Sequence, residues 1–370
     1  MGEPSGALRV ATYNVSFYRE EAGQLARDVA AWTDPQLEAV ANVIRAVDPD
    51  ILVLNEFDYE ADAEALDAFA ERLGYPYRLG LPSNTGEPSG RDLDKDGRGD
   101  HPPGSREYAS DAFGYGTHPG QYGIAVMSRM PLDEAGVRTW RKLLWADVPE
   151  NLLPADYYDQ GDRTVLRLSS KTHAVVPVGT PGGPLHLVVA HPTPPGFDGP
   201  EDRNGRRNRD EVRLLADIVD PARGAYLVDD RGGEGGLPPG ARFVIAGDLN
   251  ADPADGDANE AIRALLASPL VQDPLPASAG GPAADRAQGE ANADHTGDPA
   301  HDTADFSDGQ VGNLRADYVL PSANLDVVDA GVFWPAPGEA GYEHVGPGYP
   351  VVSSDHRLVW VDLALPLADD

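Results

Sequence analysis

The stretch Gly247-Asp248-Leu249-Asn250 directly follows the apolar run of residues 242–246, and it decides how the rest of the chain is interpreted. A second stretch, Ser354-Asp355-His356-Arg357, directly precedes the apolar run of residues 358–361. Each places polar side chains beside a segment with the composition of a buried strand. An Asp or Asn after a strand is commonly a turn residue, so neither stretch is decisive by itself. Carboxylates, an amide and a histidine in such positions also suit metal-assisted acid–base chemistry.

The same arrangement recurs in four further strand-like segments, each of which delivers a polar side chain. Residues 8–13 lead to Asn14, residues 51–55 to Glu56 and residues 185–190 to His191, while Asp317 lies within residues 314–320. Six segments could therefore bring side chains to one rim of a sheet. Together they supply oxygens for a hard divalent cation, two histidines, and carboxylates to orient them.

With these motifs the chain resembles the endonuclease/exonuclease/phosphatase (deoxyribonuclease-I-like) superfamily, which includes deoxyribonuclease, apurinic-site nucleases, bacterial sphingomyelinases and inositol-polyphosphate phosphatases. The motifs follow the family's order: Thr12-Tyr13-Asn14, Asn55-Glu56, residues 120–128, Ala190-His191, Gly247-Asp248-Leu249-Asn250, Arg315-Ala316-Asp317-Tyr318 and Ser354-Asp355-His356. The resemblance implies an α/β (α+β) fold, a four-layer sandwich of two packed mixed β-sheets flanked by helices. We expect a single domain over residues 1–370.

The resemblance also implies roles for individual residues, all read from matching positions. Glu56 is expected to be the main ligand of Mg²⁺ or Mn²⁺, with Asn14 and Asp355 beside it. Asp248 and Asn250 are expected to orient the attacking water and hold the scissile phosphate, and His356 to be the catalytic histidine oriented by Asp317. We assign His356 as the base, because Asp317 can fix its tautomer.

His191 stands where the deoxyribonuclease and sphingomyelinase branches have histidine. The apurinic-site nucleases have Tyr followed by Pro-Asn, whereas this chain reads Ala190-His191-Pro192-Thr193-Pro194. This departure argues against an apurinic-site nuclease. We expect His191 to bind phosphate or to assist the leaving group.

Composition sets wider limits on partners. The 370-residue chain has 61 acidic and 29 basic residues, for a formal charge of −32. Nucleic-acid binding normally uses a basic footprint, which this chain has only locally. Its arginines cluster after His191, at Arg203, Arg206, Arg207, Arg209 and Arg213. Two interpretations stay open: a solvated amphipathic helix, or phosphate docking by Arg206 and Arg207.

Cysteine is absent, which excludes disulfides and thiolate chemistry. No apolar run is long enough to cross a bilayer. The first residues have neither a basic nor an apolar region of the signal-peptide type, so we expect no leader within this chain. The sequence points to no protein partner.

A calcium motif occurs in Asp92-Leu93-Asp94-Lys95-Asp96-Gly97-Arg98-Gly99-Asp100. Alternating Asp followed by Gly begins an EF-hand-like loop, and it predicts a structural Ca²⁺ at Asp92, Asp94, Asp96 and Asp100. The Glu expected at the twelfth position is replaced by Pro103, so another ligand or weak binding is required. An acidic surface turn is the alternative. A weak calcium site suits an extracellular protein, so we expect secretion, with a cytoplasmic location still open.

Strand-like and helix-like patterns alternate along the chain. We predict helices at residues 61–73, 204–219 and 259–266 and one that starts at Asp34-Pro35, and strands at residues 122–128, 164–176 and 325–332. Three insertions interrupt this order, at residues 82–119, 274–313 and 334–350. The second contains Asp302-Thr303-Ala304-Asp305, which could wall a cleft but is more typical of a mobile loop.

These observations favour a metal-dependent phosphoesterase that cleaves phosphodiester bonds with nuclease-like chemistry. Its substrate would be nucleic acid or a small phosphodiester. A phosphatase or a phospholipase C-type hydrolase of small esters or lipid head groups stays open. A non-catalytic, calcium-stabilised binding module is the rival class, and the intact set of polar residues argues against it.

Overall fold

The computed structural model describes residues 7–257, 259–346 and 351–364. The strands are β1 (Leu8–Phe17), β2 (Ile51–Phe57), β3 (Tyr77–Leu81), β4 (Ile124–Ser128), β5 (Arg138–Thr139), β6 (His173–Thr180), β7 (Gly183–Ala190), β8 (Phe243–Asp248), β9 (Ala304–Asp305), β10 (Asn313–Leu314), β11 (Asp317–Pro321), β12 (Asp326–Val332) and β13 (Val359–Ala364). The helices are α1 (Gln24–Ala31), α2 (Pro35–Val47), α3 (Glu64–Leu73), α4 (Arg106–Asp111), α5 (Gln160–Arg163), α6 (Arg203–Val219), α7 (Asn259–Leu266), α8 (Gly280–Gln288) and α9 (Tyr342–Val345).

The strands form two mixed sheets, as the family resemblance implies. The first has the order β12-β13-β1-β2-β4-β3, and its β1–β2 pair is parallel. The second has the order β11-β8-β7-β6-β5, and its β7–β8 pair is parallel. The remaining neighbours in both sheets are antiparallel. Strands β9 and β10 form a separate two-stranded ribbon.

Strand β7 shows how the layers pack, because both of its faces are buried. Leu187 and Val189 belong to a core that also contains residues of the first sheet and of helix α2. Val188 and Ala190 belong to a second core with residues of α6 and α7. Period-two alternation therefore divides this apolar run between two interfaces. The predicted layers, with helices outside two packed sheets, are confirmed.

Most predicted elements occur close to their predicted positions. Helix α2 begins where Asp34 caps it, with Asp34 Oδ1 accepting the Gln36 N–H at 2.9 Å. Helices α6 and α7 agree with their predicted ranges to within one residue. The strand predicted over residues 164–176 is wrong in its first part, because β6 begins only at His173. A capping box between Asp159 and Asp162 starts α5 just before this segment instead.

The insertions are more ordered than their composition suggests. Residues 82–119 contain α4, and the Asn84 side chain donates to the carbonyls of Arg141 and Ser169, each at 2.7 Å. Residues 274–313 contain α8, β9 and the start of β10. Residues 334–350 contain α9, while 347–350 lie outside the described residues. Across the described ranges, no helix has the length and apolarity that a bilayer span requires.

Candidate active site

The predicted site residues meet at one edge of the two sheets. Asn14 lies in β1 and Glu56 near the end of β2, and these parallel strands end on the same side. His191 directly follows β7, and Asp248 ends β8. Asp317 begins β11 and pairs in register with Asp248. The topology therefore brings together side chains that are far apart in sequence.

Two histidines approach the same oxygen of the Asp248 carboxylate. His191 Nε2 is 3.3 Å and His356 Nε2 is 3.6 Å from Asp248 Oδ2. On its other side, His356 Nδ1 is 2.8 Å from Asp317 Oδ2. All four side chains are buried, so this is a desolvated network of ionisable groups.

Thr303 was not identified as a site residue from sequence, although its motif was noted as a possible cleft wall. Its Oγ1 donates to Asp317 Oδ2 at 2.8 Å and accepts the N–H groups of Ala316 and Asp317, each at 2.9 Å. Thr303 is fully buried, and Ala304 forms an antiparallel bridge with His356. This part of the second insertion is thus packed against the site and is not a surface loop. Such a role depends on contacts that a local motif does not encode.

Asn250 is held in a turn that directs its amide toward the same centre. Asp248 Oδ1 accepts the Asn250 N–H at 2.9 Å, and Asn250 Nδ2 donates to the Pro192 carbonyl at 3.1 Å. From α6, the buried Asn208 amide donates to the carbonyls of Thr193, Leu249 and Asn250. Asn208 is a second residue that sequence reasoning missed.

Two of these residues have a left-handed backbone conformation that residues other than glycine rarely adopt. Glu56 has φ of 57° and Asn250 has φ of 49°. Asn tolerates this left-handed region better than Glu does. Conformations of this kind persist where surrounding structure imposes them, and they concentrate at functional sites.

The predicted metal ligands lie beside this network. Asn14 Nδ2 donates to Asp248 Oδ2 at 3.0 Å, and Ser16 Oγ donates to Asp355 Oδ1 at 3.1 Å. Burial, followed by the charge of Asp355, raises the pKa of Glu56 to about 7. Two carboxylates and an amide oxygen are hard donors, and carboxylates that oppose each other's ionisation are stabilised by a cation. The residues present therefore fit Mg²⁺ or Mn²⁺.

A second possible donor group comprises Asp248, Asp317 and His356, whose ligand atoms lie within 4.8 Å of one another. However, Asp317 Oδ2 is already bonded to His356 and to Thr303. We therefore interpret this group as one that orients the histidine.

The surroundings of the two histidines shift their pKa values in opposite directions. Burial and the charge of Lys171 lower the pKa of His191 to about 4, so it is neutral. Burial also disfavours the charged form of His356, but the carboxylates of Asp317 and Asp248 outweigh it and raise its pKa well above the usual range. A divalent cation beside Glu56 would oppose this upward shift, because nearby positive charge disfavours an imidazolium.

The sequence model of the Endonuclease/Exonuclease/phosphatase family matches residues 11–356. The chain belongs to this family. Its members hydrolyse phosphate esters, nucleic acids among them, and typically use divalent metals, so the chain is a phosphoester hydrolase. No curated protein matches its sequence.

Solved structures are similar in fold. The endonuclease/exonuclease/phosphatase from Beutenbergia cavernae DSM 12333 shares 21% identity, with a TM-score of 0.54 over 98% of this chain and 72% of that one. A family protein from Leptotrichia buccalis C-1013-b shares 13% identity, with a TM-score of 0.50 over 96% of this chain and 99% of that one. At these identities the likenesses show the fold, and they leave the substrate of this family member open.

Lys171 is a cation beside the site that the sequence analysis did not identify. It is 7% exposed, and its Nζ lies 3.5 Å from the Pro192 carbonyl oxygen. Burial lowers its pKa, which the charges of Glu211, Glu56 and Asp248 oppose. Lysine is rare in this acidic chain, occurring only at Lys95, Lys142 and Lys171, and that rarity was a usable signal.

The structure corrects the predicted phosphate-binding role of Arg207. Its Nε donates to the Leu168 carbonyl at 2.8 Å, and its Nη2 donates to the carbonyls of Phe113 and Arg167 at 2.6 and 2.8 Å. A guanidinium committed to three backbone carbonyls joins these segments to α6 and is not free to bind phosphate through these atoms. Arg206 is half-buried near Asp202, and its phosphate contact stays a prediction.

Helix α6 is not a solvated helix either, because polar residues occupy its buried face. The carboxylate of Glu211 accepts the N–H groups of Ser170 and Thr193, each at 2.6 Å. Asp210 Oδ2 accepts from Trp145 Nε1, also at 2.6 Å. These bonds attach α6 to the segments that precede β6 and follow β7.

The calcium motif is only partly assembled as predicted. Asp92, Asp94 and Asp96 place carboxylate oxygens within 4.8 Å of one another. Asp100, the predicted fourth ligand, is not part of this group, and its exposed carboxylate pairs with Arg98 Nε at 3.2 Å.

Proposed function

We propose that the chain is a divalent-metal-dependent phosphodiesterase with nuclease-like chemistry, in which water attacks phosphorus. The observation that carries this proposal is the line of buried groups from Asp317 through His356 and Asp248 to His191. At its His191 end, this line lies beside Glu56, which with Asn14 and Asp355 supplies the oxygen donors for a cation. It combines proton transfer, water orientation and cation binding in one place.

Glu56, Asn14 and Asp355 would hold the cation. When bound, Mg²⁺ or Mn²⁺ supplies positive charge that stabilises the developing charge on the phosphoryl oxygens. Ser16 and Ser354 support these ligands, since Ser16 Oγ bonds to Asp355 and Ser354 Oγ donates to the Asn14 carbonyl at 2.7 Å.

The chain's own residues handle the proton. In neutral His356, Asp317 would hold the proton on Nδ1 and leave Nε2, 3.6 Å from Asp248 Oδ2, to accept the proton of the attacking water. This role requires the positive charge beside Glu56 to offset the rise in the His356 pKa. Asp248 and Asn250 orient that water and the phosphate. His191 Nε2 approaches the same Asp248 oxygen at 3.3 Å, and we assign this histidine to contact phosphate or the leaving oxygen.

The charge of the site favours a diester over a monoester. A phosphodiester carries one negative charge, whereas a phosphomonoester carries about 1.5 to 2 at neutral pH. Carboxylates predominate among the buried side chains of the site, Lys171 lies beside them, and the guanidinium of Arg207 is committed to backbone carbonyls. The lower charge of a diester is therefore better accommodated.

A substrate panel tests this function. Purified protein is assayed with bis-nitrophenyl phosphate, nitrophenyl phosphate, plasmid DNA, RNA and sphingomyelin, each with Mg²⁺, Mn²⁺ or Ca²⁺. We expect turnover of diesters to exceed that of the monoester, to stop on chelation and to return with Mg²⁺ or Mn²⁺.

Glu56→Gln is the matched variant, because it keeps the side-chain volume and removes the charged ligand. It should lose most metal affinity and remain folded. Full activity of metal-stripped protein would refute the metal-dependent mechanism, and preferential hydrolysis of nitrophenyl phosphate would favour the phosphatase alternative.

A further inference from the structure

The loop of Asp92, Asp94 and Asp96 keeps one oxygen of each carboxylate free from backbone hydrogen bonds. Asp92 Oδ2 accepts the Gly97 N–H at 3.0 Å, Asp94 Oδ1 accepts that of Asp96 at 3.1 Å, and Asp96 Oδ1 accepts that of Arg98 at 2.8 Å. Asp92 Oδ1 is buried and has no hydrogen-bond partner. The backbone thus fixes the direction of each carboxylate.

The spacing of this group suits one calcium ion. Its ligand oxygens lie within 4.8 Å of one another. Calcium binds oxygen at about 2.3 to 2.6 Å, so two oxygens on opposite sides of one ion are about 4.6 to 5.2 Å apart. A cluster of acidic residues is common on protein surfaces and does not by itself indicate a bound cation.

A buried carboxylate, that of Asp111, lies against this loop. Asp111 is the last residue of α4, lies outside the Asp92–Asp100 motif and is only 6% exposed. Its Oδ1 accepts the N–H groups of Leu93 and Asp94, at 2.7 and 3.4 Å, which places the carboxylate against the first turn of the loop. Its Oδ2 is buried without a partner. A buried, unpaired carboxylate oxygen is costly unless a cation binds it.

The positive side chains near this loop are largely engaged elsewhere. Lys95 Nζ bonds to Asp162 Oδ2 at 2.5 Å and to the Asp92 carbonyl at 2.7 Å. The ring of His101 approaches Asp96 Oδ2 at 2.9 Å and can neutralise one charge when it is protonated. Neither residue is bonded to the free oxygens of Asp92 and Asp111.

We propose that Asp92, Asp94, Asp96 and Asp111 together bind one Ca²⁺, with Asp111 in place of the missing twelfth-position ligand. The motif alone points to Asp100, whereas α4 returns the chain to the start of the loop and brings Asp111 against the N–H groups of Leu93 and Asp94. This inference goes beyond the proposed function and does not depend on it.

The bound ion would stabilise the contacts of this loop with the segment before α5 and with α6. Tyr157 Oη donates to the Asp94 carbonyl at 3.0 Å, which attaches the loop to the segment before α5. Two residues after Asp111, the Phe113 carbonyl accepts from Arg207 at 2.6 Å. Calcium should therefore raise thermal stability, through contacts separate from the cation at Glu56.

Calcium binding to the full chain tests the proposal by thermal melting and isothermal titration calorimetry, with Ca²⁺ as the added ion. The protein carries Glu56→Gln, so that the active-site cation does not contribute. We expect Ca²⁺ to raise the melting temperature. Asp111→Asn should weaken Ca²⁺ binding by about tenfold or more, because the amide keeps an acceptor but loses the charge.

Asp100→Asn is the matched control, since it makes the same chemical change within the motif and should leave calcium binding unchanged. Equal calcium affinity for Asp111→Asn and Asp100→Asn would overturn the role of Asp111. If Asp111→Asn does not fold, Tb³⁺ binding to the protein without that substitution is measured instead, by terbium luminescence excited through tyrosine. Absence of a calcium-displaceable terbium signal would then refute the site, and its presence, with loss in Asp96→Asn, would support it.

Discussion

Asp317 is the residue at which the orientation of a catalytic group can be separated from its presence. One of its oxygens is bonded both to His356 Nδ1 and to Thr303 Oγ1. In Asp317→Asn an amide can no longer stabilise the imidazolium that forms when His356 takes a proton. We expect kcat for bis-nitrophenyl phosphate to fall by about 10² to 10⁴, with a smaller change in KM.

Thr303→Val is the companion variant, because it removes a hydrogen bond to Asp317 while keeping the shape of the side chain. Its kcat should fall less than that of Asp317→Asn, and both proteins should melt cooperatively. A kcat of Asp317→Asn within twofold of the parent value would show that His356 does not act through Asp317.

At the scale of an element, polar side chains of α6 bond to the segments that follow β7 and β8 and to the segment that precedes β6. Arg207 makes three hydrogen bonds to backbone carbonyls. Arg207→Ala leaves these buried carbonyls without that donor, and it should destabilise the fold by about 2 to 4 kcal/mol. Chemical denaturation measures this difference.

The neighbouring Arg206→Ala is the control for this prediction. Arg206 is half-buried and is not bonded to those carbonyls. We expect its unfolding free energy to stay within about 0.5 kcal/mol of the parent, as for most surface substitutions. If Arg206 also holds phosphate, its KM should rise. Similar stability of the two variants would mean that the Arg207 hydrogen bonds contribute little.

At the scale of the whole molecule, the formal charge of −32 governs the encounter with polyanions. Long-range repulsion should slow association with DNA at low salt, and added monovalent salt screens it. Cleavage of plasmid DNA should therefore rise, or at least not fall, as salt increases from low values. Hydrolysis of bis-nitrophenyl phosphate should change little and serves as the control. A steep loss on DNA alone would instead indicate a basic docking surface.

The sequence by itself determined the strands and the polar residues at their ends. Apolar runs before Asn14, Glu56 and Asp248 specify buried strands, and strands of one sheet that run in parallel end at the same edge. That is why the gathering of these side chains could be predicted, whereas the two mixed sheets were implied by the family resemblance. The segment before β6 was mistaken for strand because its composition does not reveal that its polar groups bond to α6.

Only the tertiary structure decided which partner each buried polar group has. Thr303 donates to Asp317, Arg207 donates to the Phe113 carbonyl, and Asp111 accepts the Leu93 N–H, although nothing local in the sequence pairs these residues with their partners. Periodicity encodes which face of an element is buried, whereas a hydrogen bond depends on where a distant segment crosses it. Burial then makes each such bond consequential, because a polar group removed from water must find its partner within the protein.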